Sequence, residues 1–281
     1  MQPWKSVAIV GAGLIGGSIG LALRERKLAR EVVGIGRRKA SLDRAKNLGA
    51  VTAITTDLKE GVAGADIVVV CTPVEEIADH LLQAAAAAPE HAILTDAGST
   101  KAAIVAQVEA KLPRGRRFVG SHPLAGSEKA GAQFARADLF QGRVAVITPT
   151  RRTKVGDKQE VADFWSALGA TVMVMSPEAH DKALATTSHV PHLIASAMAR
   201  TTDRADLPLT AGGWRDLTRI AAADPELWAQ ILLENRDNIL KSLTGFEKTM
   251  AVFQTALKRG DRRKLRQLLA EGKRVRDAVG N

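Results

Sequence analysis

The sequence predicts an α/β fold with a doubly wound parallel sheet, followed by an all-α domain. Three observations carry this expectation. A glycine-rich turn, Gly11-Ala12-Gly13-Leu14-Ile15-Gly16, directly follows an apolar strand pattern. Short β-branched runs alternate with helical stretches through the first 176 residues, as parallel strands with crossover helices require. Beyond that point no strand pattern recurs, and the segments read as amphipathic helices.

In chain order, strands are predicted at 6–10, 31–35, 50–54, 67–71, 92–95, 117–120, 143–148 and 171–175. Helices fall between them at 18–26 and 41–48, and around Phe164-Trp165. At Ser176-Pro177-Glu178 the character changes: serine supplies an N-cap, proline suits the first turn, and glutamate complements the positive end of the helix dipole. Asp224-Pro225-Glu226 repeats that start signal. Helices are predicted at 177–202, 213–223, 225–259 and 261–279, which places a domain boundary near 176 and divides the chain into 1–176 and 177–281. The apolar faces of the helical half (Leu232, Ile239, Leu240, Leu243, Phe246, Met250) need a partner surface, and a homodimer is expected to supply it.

Composition narrows the class. Of 281 residues, 46% are hydrophobic and 25% charged, ordinary for a globular protein with a sizeable core. The alanine-rich stretch 81–88 is too short to span a bilayer, so no membrane role is expected. The N-terminus runs straight into a strand pattern with no room for a signal peptide. The single cysteine, Cys71, has no disulfide partner and reads as a small core residue in a reducing, cytoplasmic setting. The net charge of +10 comes from basic runs without interleaved stacking aromatics, which disfavours nucleic acid and suits an acidic small molecule or a phosphorylated cofactor.

Strand, glycine turn and helix together form the dinucleotide-binding fingerprint of a Rossmann domain. Gly11 permits the tight turn, Gly13 lets the backbone approach a pyrophosphate, and Gly16 lets helix and strand pack closely. Leu14, Ile15 and the Thr72-Pro73 step after the fourth strand are assigned to the same cofactor site. The ribose is read at the end of the second strand, where an acidic residue favours NAD. Gly36 stands there, followed by Arg37, Arg38 and Lys39, and arginines can pair with a 2′-phosphate. The expected cofactor is therefore NADP ahead of NAD.

Two further loops are expected at the carboxyl edge of the sheet, 95–101 and 120–128. His122, beside Pro123, is a candidate general base because histidine titrates near neutrality. Arg215 and Arg219, four apart on a predicted helix, share a face that suits an anionic substrate, with Asp216 between them. His189 and His192 share another face. Their spacing is compatible with a metal, but no third ligand stands nearby and no metal is expected. Pro191 would free a carbonyl and bend that helix.

Taken in order, Gly11-Ala12-Gly13-Leu14-Ile15-Gly16-Gly17-Ser18, Asp96-Ala97-Gly98-Ser99-Thr100-Lys101, His122-Pro123-Leu124-Ala125-Gly126-Ser127-Glu128, Ser188-His189-Val190-Pro191-His192 and Gly212-Gly213-Trp214-Arg215-Asp216-Leu217-Thr218-Arg219-Ile220-Ala221 resemble the prephenate/arogenate (cyclohexadienyl) dehydrogenase family over essentially the whole chain. The resemblance implies a nicotinamide-dependent oxidative decarboxylation on the route to tyrosine. It makes His122 the base on the C4 hydroxyl, Ser99 the residue sharing that hydroxyl, and Arg219 the partner of a substrate carboxylate. Glu128 and Asp216 become gating acids, and His192 and His189 line the site. Ser127 is counted with the substrate-binding residues, as is Arg215, which stands where some relatives carry lysine. Two other readings compete. A β-hydroxyacid dehydrogenase would place a helical lysine after the glycine run, where Trp214-Arg215 stands instead. A non-catalytic NADP(H)-binding sensor would have no need of Ser99, His122 and Arg219 together.

Overall fold

The computed structural model describes residues 2–127 and 129–280, so Glu128 lies outside the described residues. A six-stranded parallel sheet forms the centre, built from β1 (Trp4–Val10), β2 (Ala29–Ile35), β3 (Ala53–Thr55), β4 (Ile67–Val70), β5 (Ile93–Asp96) and β6 (Arg117–Phe118) in the order β3-β2-β1-β4-β5-β6. The order reverses between β1 and β4, and ligands of such sheets bind at the carboxyl ends of the strands flanking that switch. Crossover helices α1 (Leu14–Glu25), α2 (Lys39–Asn47), α3 (Leu58–Val62), α4 (Val74–Ala87) and α5 (Ala102–Lys111) connect the strands.

The strand sequences explain the layering. Successive side chains of a strand point to opposite faces. Val7 and Ile9 of β1 pack on one face with Ile19 and Leu23 of α1, while Ala8 and Val10 pack on the other with Ile77 and Leu81 of α4. Both faces are covered, so β4 reads as an unbroken apolar run, Ile67-Val68-Val69-Val70, with all four residues buried.

The strands after β6 do not continue this sheet. β7 (Gly120–Pro123), β8 (Val144–Thr148) and β9 (Thr171–Val174) form a second sheet, β7 antiparallel to β8 and β8 parallel to β9. The expected strand 117–120 is thus cut at Val119. Side chains of β5 take over the backbone groups there: Thr95 donates to the Val119 carbonyl (2.7 Å) and Asp96 accepts the Ser121 N–H (3.0 Å). Helix α6 (Val155–Ala167) packs beside this second sheet, with Phe164 and Trp165 buried in the core.

In the helical half, α7 (Pro177–Leu184) passes through one π-helical turn, Ala185–His189, into α8 (Val190–Thr201). Pro191 lies in the first turn of α8, where a missing N–H costs least. The predicted helix 213–223 is shorter: α9 (Gly212–Thr218) gives way to a 3-10 turn, Arg219–Ala222. The predicted helix 225–259 is broken into α10 (Pro225–Glu234) and α11 (Arg236–Lys258). Asn235 makes the break, and its buried side chain is drawn away to the Asp181 carbonyl (2.7 Å) and His189 Nδ1 (3.1 Å). By packing, the chain divides into compact units at 1–235 and 236–281. The change of sequence character near 176 is a separate feature. In the second unit α11 packs against α12 (Arg262–Asp277) through a turn in which Gly260 has φ +62° and Asp261 caps α12. No helix among the described residues is long and apolar enough to cross a membrane.

Candidate active site

The glycine turn behaves as its sequence requires. Gly11 sits at φ +95°, and a Cβ there would lie 2.7 Å from the Cys71 carbonyl oxygen. A Cβ on Gly16 would lie 2.2 Å from the Gly11 carbonyl oxygen, so helix and turn approach closely only with glycine. Gly13 faces open space, no side chain caps α1, and its first turn carries no acidic residue. The leading N–H groups of Leu14, Ile15 and Gly16 therefore fit a dinucleotide pyrophosphate. Thr72 and Pro73 lie on the neighbouring β4–α4 connection, where Thr72 Oγ1 is 3.0 Å from His80 Nδ1. Gly36 ends β2 without an acidic side chain. Exposed Arg37 pairs with Glu76 of α4 (3.1 Å), and Arg38 is also exposed. Desolvation, reinforced by the charge of Asp96, pushes the thiol of half-buried Cys71 above the ordinary range.

His122 stands on β7 opposite Val146, one residue before the strand ends, rather than in a loop. Its Nδ1 is 2.9 Å from His180 Nε2, with the two rings edge to face at 5.1 Å. Burial disfavours its charged form and holds its pKa well below the usual histidine value, with smaller electrostatic contributions from His180, Lys101 and His189. It is therefore uncharged at neutral pH, as a proton acceptor must be.

Beneath it lies a polar cluster. Lys101 and Asp96 form a fully buried ion pair, and Lys101 Nζ also donates to the Ser121 carbonyl (3.1 Å). Asp96 accepts the N–H groups of Gly98 (2.9 Å) and Ser121 (3.0 Å). One carboxylate thus fixes both the loop that carries Ser99 and the strand that carries His122. Thr100 donates to Glu234 of α10 (2.5 Å), whose pKa burial pushes up.

The helical half contributes His189 and His192, both buried. Asn235 is the donor to His189 Nδ1, which places the ring hydrogen of His189 on Nε2. Burial lowers its pKa to about 4, against an opposing pull from Asp181. His192 stacks on Trp228 with centroids 3.5 Å apart and planes 9° from parallel, and its buried Nδ1 has no partner among the described residues. Arg215 and Asp216 are exposed on α9. Arg219 is exposed at the start of the 3-10 turn, and the turn packs against α8, so the two arginines do not share one helix as the sequence suggests. Ser127 is exposed and its hydroxyl accepts the Lys129 N–H (3.1 Å).

Sequence reasoning missed His180, Asp181, Asn235 and Trp228, and quoted Asp96 and Lys101 without giving them a role. One signal was available. The buried face of α7 is Pro177, His180, Asp181 and Leu184, so two polar residues occupy positions where the helical period calls for apolar ones.

Known proteins fit this geometry. Residues 19–174 match the family model described as "Prephenate dehydrogenase, nucleotide-binding domain", and residues 176–271 match "Prephenate dehydrogenase, dimerization domain". The Bacillus subtilis prephenate dehydrogenase is 33% identical, covering 99% of this chain and 77% of that protein. The Zymomonas mobilis cyclohexadienyl dehydrogenase is also 33% identical, over 99% of this chain and 97% of its own. A crystal structure of the Aquifex aeolicus prephenate dehydrogenase, in complex with hydroxyphenyl propionate and NAD+, superposes with a TM-score of 0.90 at 32% identity, covering 98% of both chains. With its Rossmann-type sheet, its helical C-terminal part and these motifs, the chain belongs to the prephenate dehydrogenase family, oxidoreductases with a nicotinamide cofactor.

Proposed function

We propose that this protein oxidatively decarboxylates prephenate, arogenate or both, yielding 4-hydroxyphenylpyruvate or tyrosine, with NADP preferred to NAD. One observation carries the reading: His122 stands near the end of β7 with its Nδ1 2.9 Å from His180 Nε2 and with burial disfavouring its charged form, as suits a proton acceptor. Gly11, Gly13, Leu14, Ile15 and Gly16 would hold the pyrophosphate, with Thr72 and Pro73 alongside. Gly36, Arg37 and Arg38 would meet the ribose. The bound nicotinamide supplies a hydride acceptor.

His122 draws the proton from the C4 hydroxyl of the ring, while Ser99 orients that hydroxyl. Loss of the ring carboxylate as carbon dioxide leaves an aromatic product, and aromatisation drives the step forward. Arg219 receives a substrate carboxylate. Arg215, Asp216 and Ser127 are assigned to substrate binding together with His192 and His189, as is Glu128, which lies outside the described residues. The enzyme's own contribution is positioning and charge stabilisation.

We assign 1–176 to the cofactor and 177–281 to substrate and dimerisation, a division that the family matches over 19–174 and 176–271 support. A homodimer is supported by the match over 176–271 and by the exposed Leu240, Phe246, Met250, Leu257 and Leu269. Cytoplasmic residence accords with a lone, half-buried thiol that has no disulfide partner.

Initial rates with prephenate or arogenate, each with NAD or NADP, test the proposal, with His122→Ala beside wild type. Turnover with one pair, lost in the variant, is expected. No reduction in any combination by folded, cofactor-binding protein would refute it.

A further inference from the structure

We propose that His180 and Asp181 are positioning residues for His122, forming a three-member chain that keeps Nε2 of His122 bare and draws inward the charge it acquires. This rests on His122 being the base.

The argument starts at Asp181. Its Oδ1 accepts the Lys101 N–H (2.8 Å) and its Oδ2 the Ala102 N–H (2.9 Å). These are leading donors of α5, a helix whose own N-cap, Lys101, provides no side-chain bond. Asp181, from another helix, therefore caps α5. Burial acts to raise its pKa, but the hydrogen bond from His180 and the two backbone N–H groups outweigh it and keep it below the usual carboxylate range. Asp181 is ionised, and an ionised carboxylate only accepts.

That fixes the next two members. His180 Nδ1 lies 2.7 Å from Asp181 Oδ1 and must carry a hydrogen. In neutral His180, Nε2 is then an acceptor, and its partner at 2.9 Å, His122 Nδ1, must be the donor. Nε2 of His122 is left with its lone pair. The reverse arrangement would turn a bare ring nitrogen toward a carboxylate.

The chain also has a use during turnover. When His122 Nε2 takes the substrate proton, the bridging hydrogen can pass from His122 Nδ1 to His180 Nε2. One N–H bond breaks and one forms, no oxidant is needed, and the positive charge moves to the ring beside Asp181. The other groups facing the pair are Lys101, neutralised by Asp96, and His189, with Glu234 reaching the same loop through Thr100. Of these, Lys101 and His189 disfavour a charge on His122, so a sink on the far side of the ring is what the base requires.

Two measurements test this. The protein has six histidines, and 15N-histidine NMR of the wild type near pH 7.5, assigned with His122→Gln and His180→Gln, should show both rings hydrogen-bearing at Nδ1. Kinetically, Asp181→Asn and His180→Leu should lower kcat about 10²–10³-fold with KM and cofactor affinity within about threefold. His180→Gln, whose carbonyl oxygen can still accept from His122 Nδ1, should lose less than His180→Leu. In Asp181→Asn the acid limb of kcat/KM should move to lower pH, because a carboxylate that favours the protonated pair is gone. A His122 carrying its hydrogen on Nε2, wild-type kcat in His180→Leu, or an unmoved acid limb would overturn the relay. Should the variants fail to fold, the wild-type spectrum still decides. A wild type inactive on every substrate would instead remove the base assignment, and the tautomers would report the chain independently.

Discussion

His189 makes the stability of this protein pH-dependent in a way that can be isolated. The ring is buried, its Nδ1 is occupied by a donor from Asn235, and burial lowers its pKa to about 4 from 6.5. In the unfolded chain it titrates at the ordinary value. Above pH 6.5 both states are neutral and the native state is unpenalised. As pH falls below 6.5 the unfolded state gains a proton that the native state refuses, and stability drops until about pH 4. At 1.36 kcal/mol per pH unit the full loss is about 3 kcal/mol, of which about 2 kcal/mol is reached by pH 5. His189→Asn keeps an acceptor facing Asn235 and removes the titration. Urea unfolding of both proteins at pH 7.5 and pH 5, at one protein concentration, should show the wild type losing about 2 kcal/mol more than the variant. His122 and His192 are buried in both proteins, so their own contributions largely cancel. Equal losses would refute the reasoning.

Asp96→Asn leaves the Lys101 ammonium buried without its carboxylate and should cost about 3–5 kcal/mol in urea unfolding; a cost below about 1 kcal/mol would contradict the role given to that pair. Gly16→Ala brings a Cβ to 2.2 Å from the Gly11 carbonyl, and thermal or urea unfolding should show a loss of about 1–3 kcal/mol, with weakened cofactor binding by fluorescence titration. Trp228→Leu removes the ring stacked on His192 and should cost about 0.5–1.5 kcal/mol beyond lost area, with steady-state kinetics showing a raised KM. Gly36→Asp, whose Cβ meets only the flexible tip of Leu42 at 3.3 Å, should shift the NAD to NADP ratio of kcat/KM toward NAD at least about tenfold, by a charge-assisted bond gained to one ribose and lost to the other.

What could be read beforehand followed from local rules. The Gly11–Gly16 turn is legible because backbone conformation and close approach at those positions demand glycine. The parallel sheet is legible because strands covered on both faces, such as β4, carry unbroken apolar runs. The cut at Val119 was not legible, since the side chains that replace the strand ladder, Thr95 and Asp96, lie more than twenty residues away. The break of 225–259 at Asn235 was hidden for the same reason: the helical period continues through it, and the distant Asp181 and His189 draw that side chain off. His122 could be singled out from its proline and from the motif around it. His180 could not be joined to it, because the bond spans 58 positions along the chain.

The π-helical turn at 185–189 gives this part of the molecule an unusual kind of fragility. One helical shaft carries Asp181 and His180 before the turn and His192 after it, and each α-helical residue advances the azimuth by about 100°. Excising a single residue there would leave every side chain, hydrophobicity and charge downstream unchanged, yet would swing the whole of α8 about its axis and carry His192 off Trp228. Apart from the buried Ala185 and His189, substitution scanning would score this stretch as ordinary, whereas a scan of single-codon deletions would find it among the least tolerant in the chain. What is specified here is a count of residues.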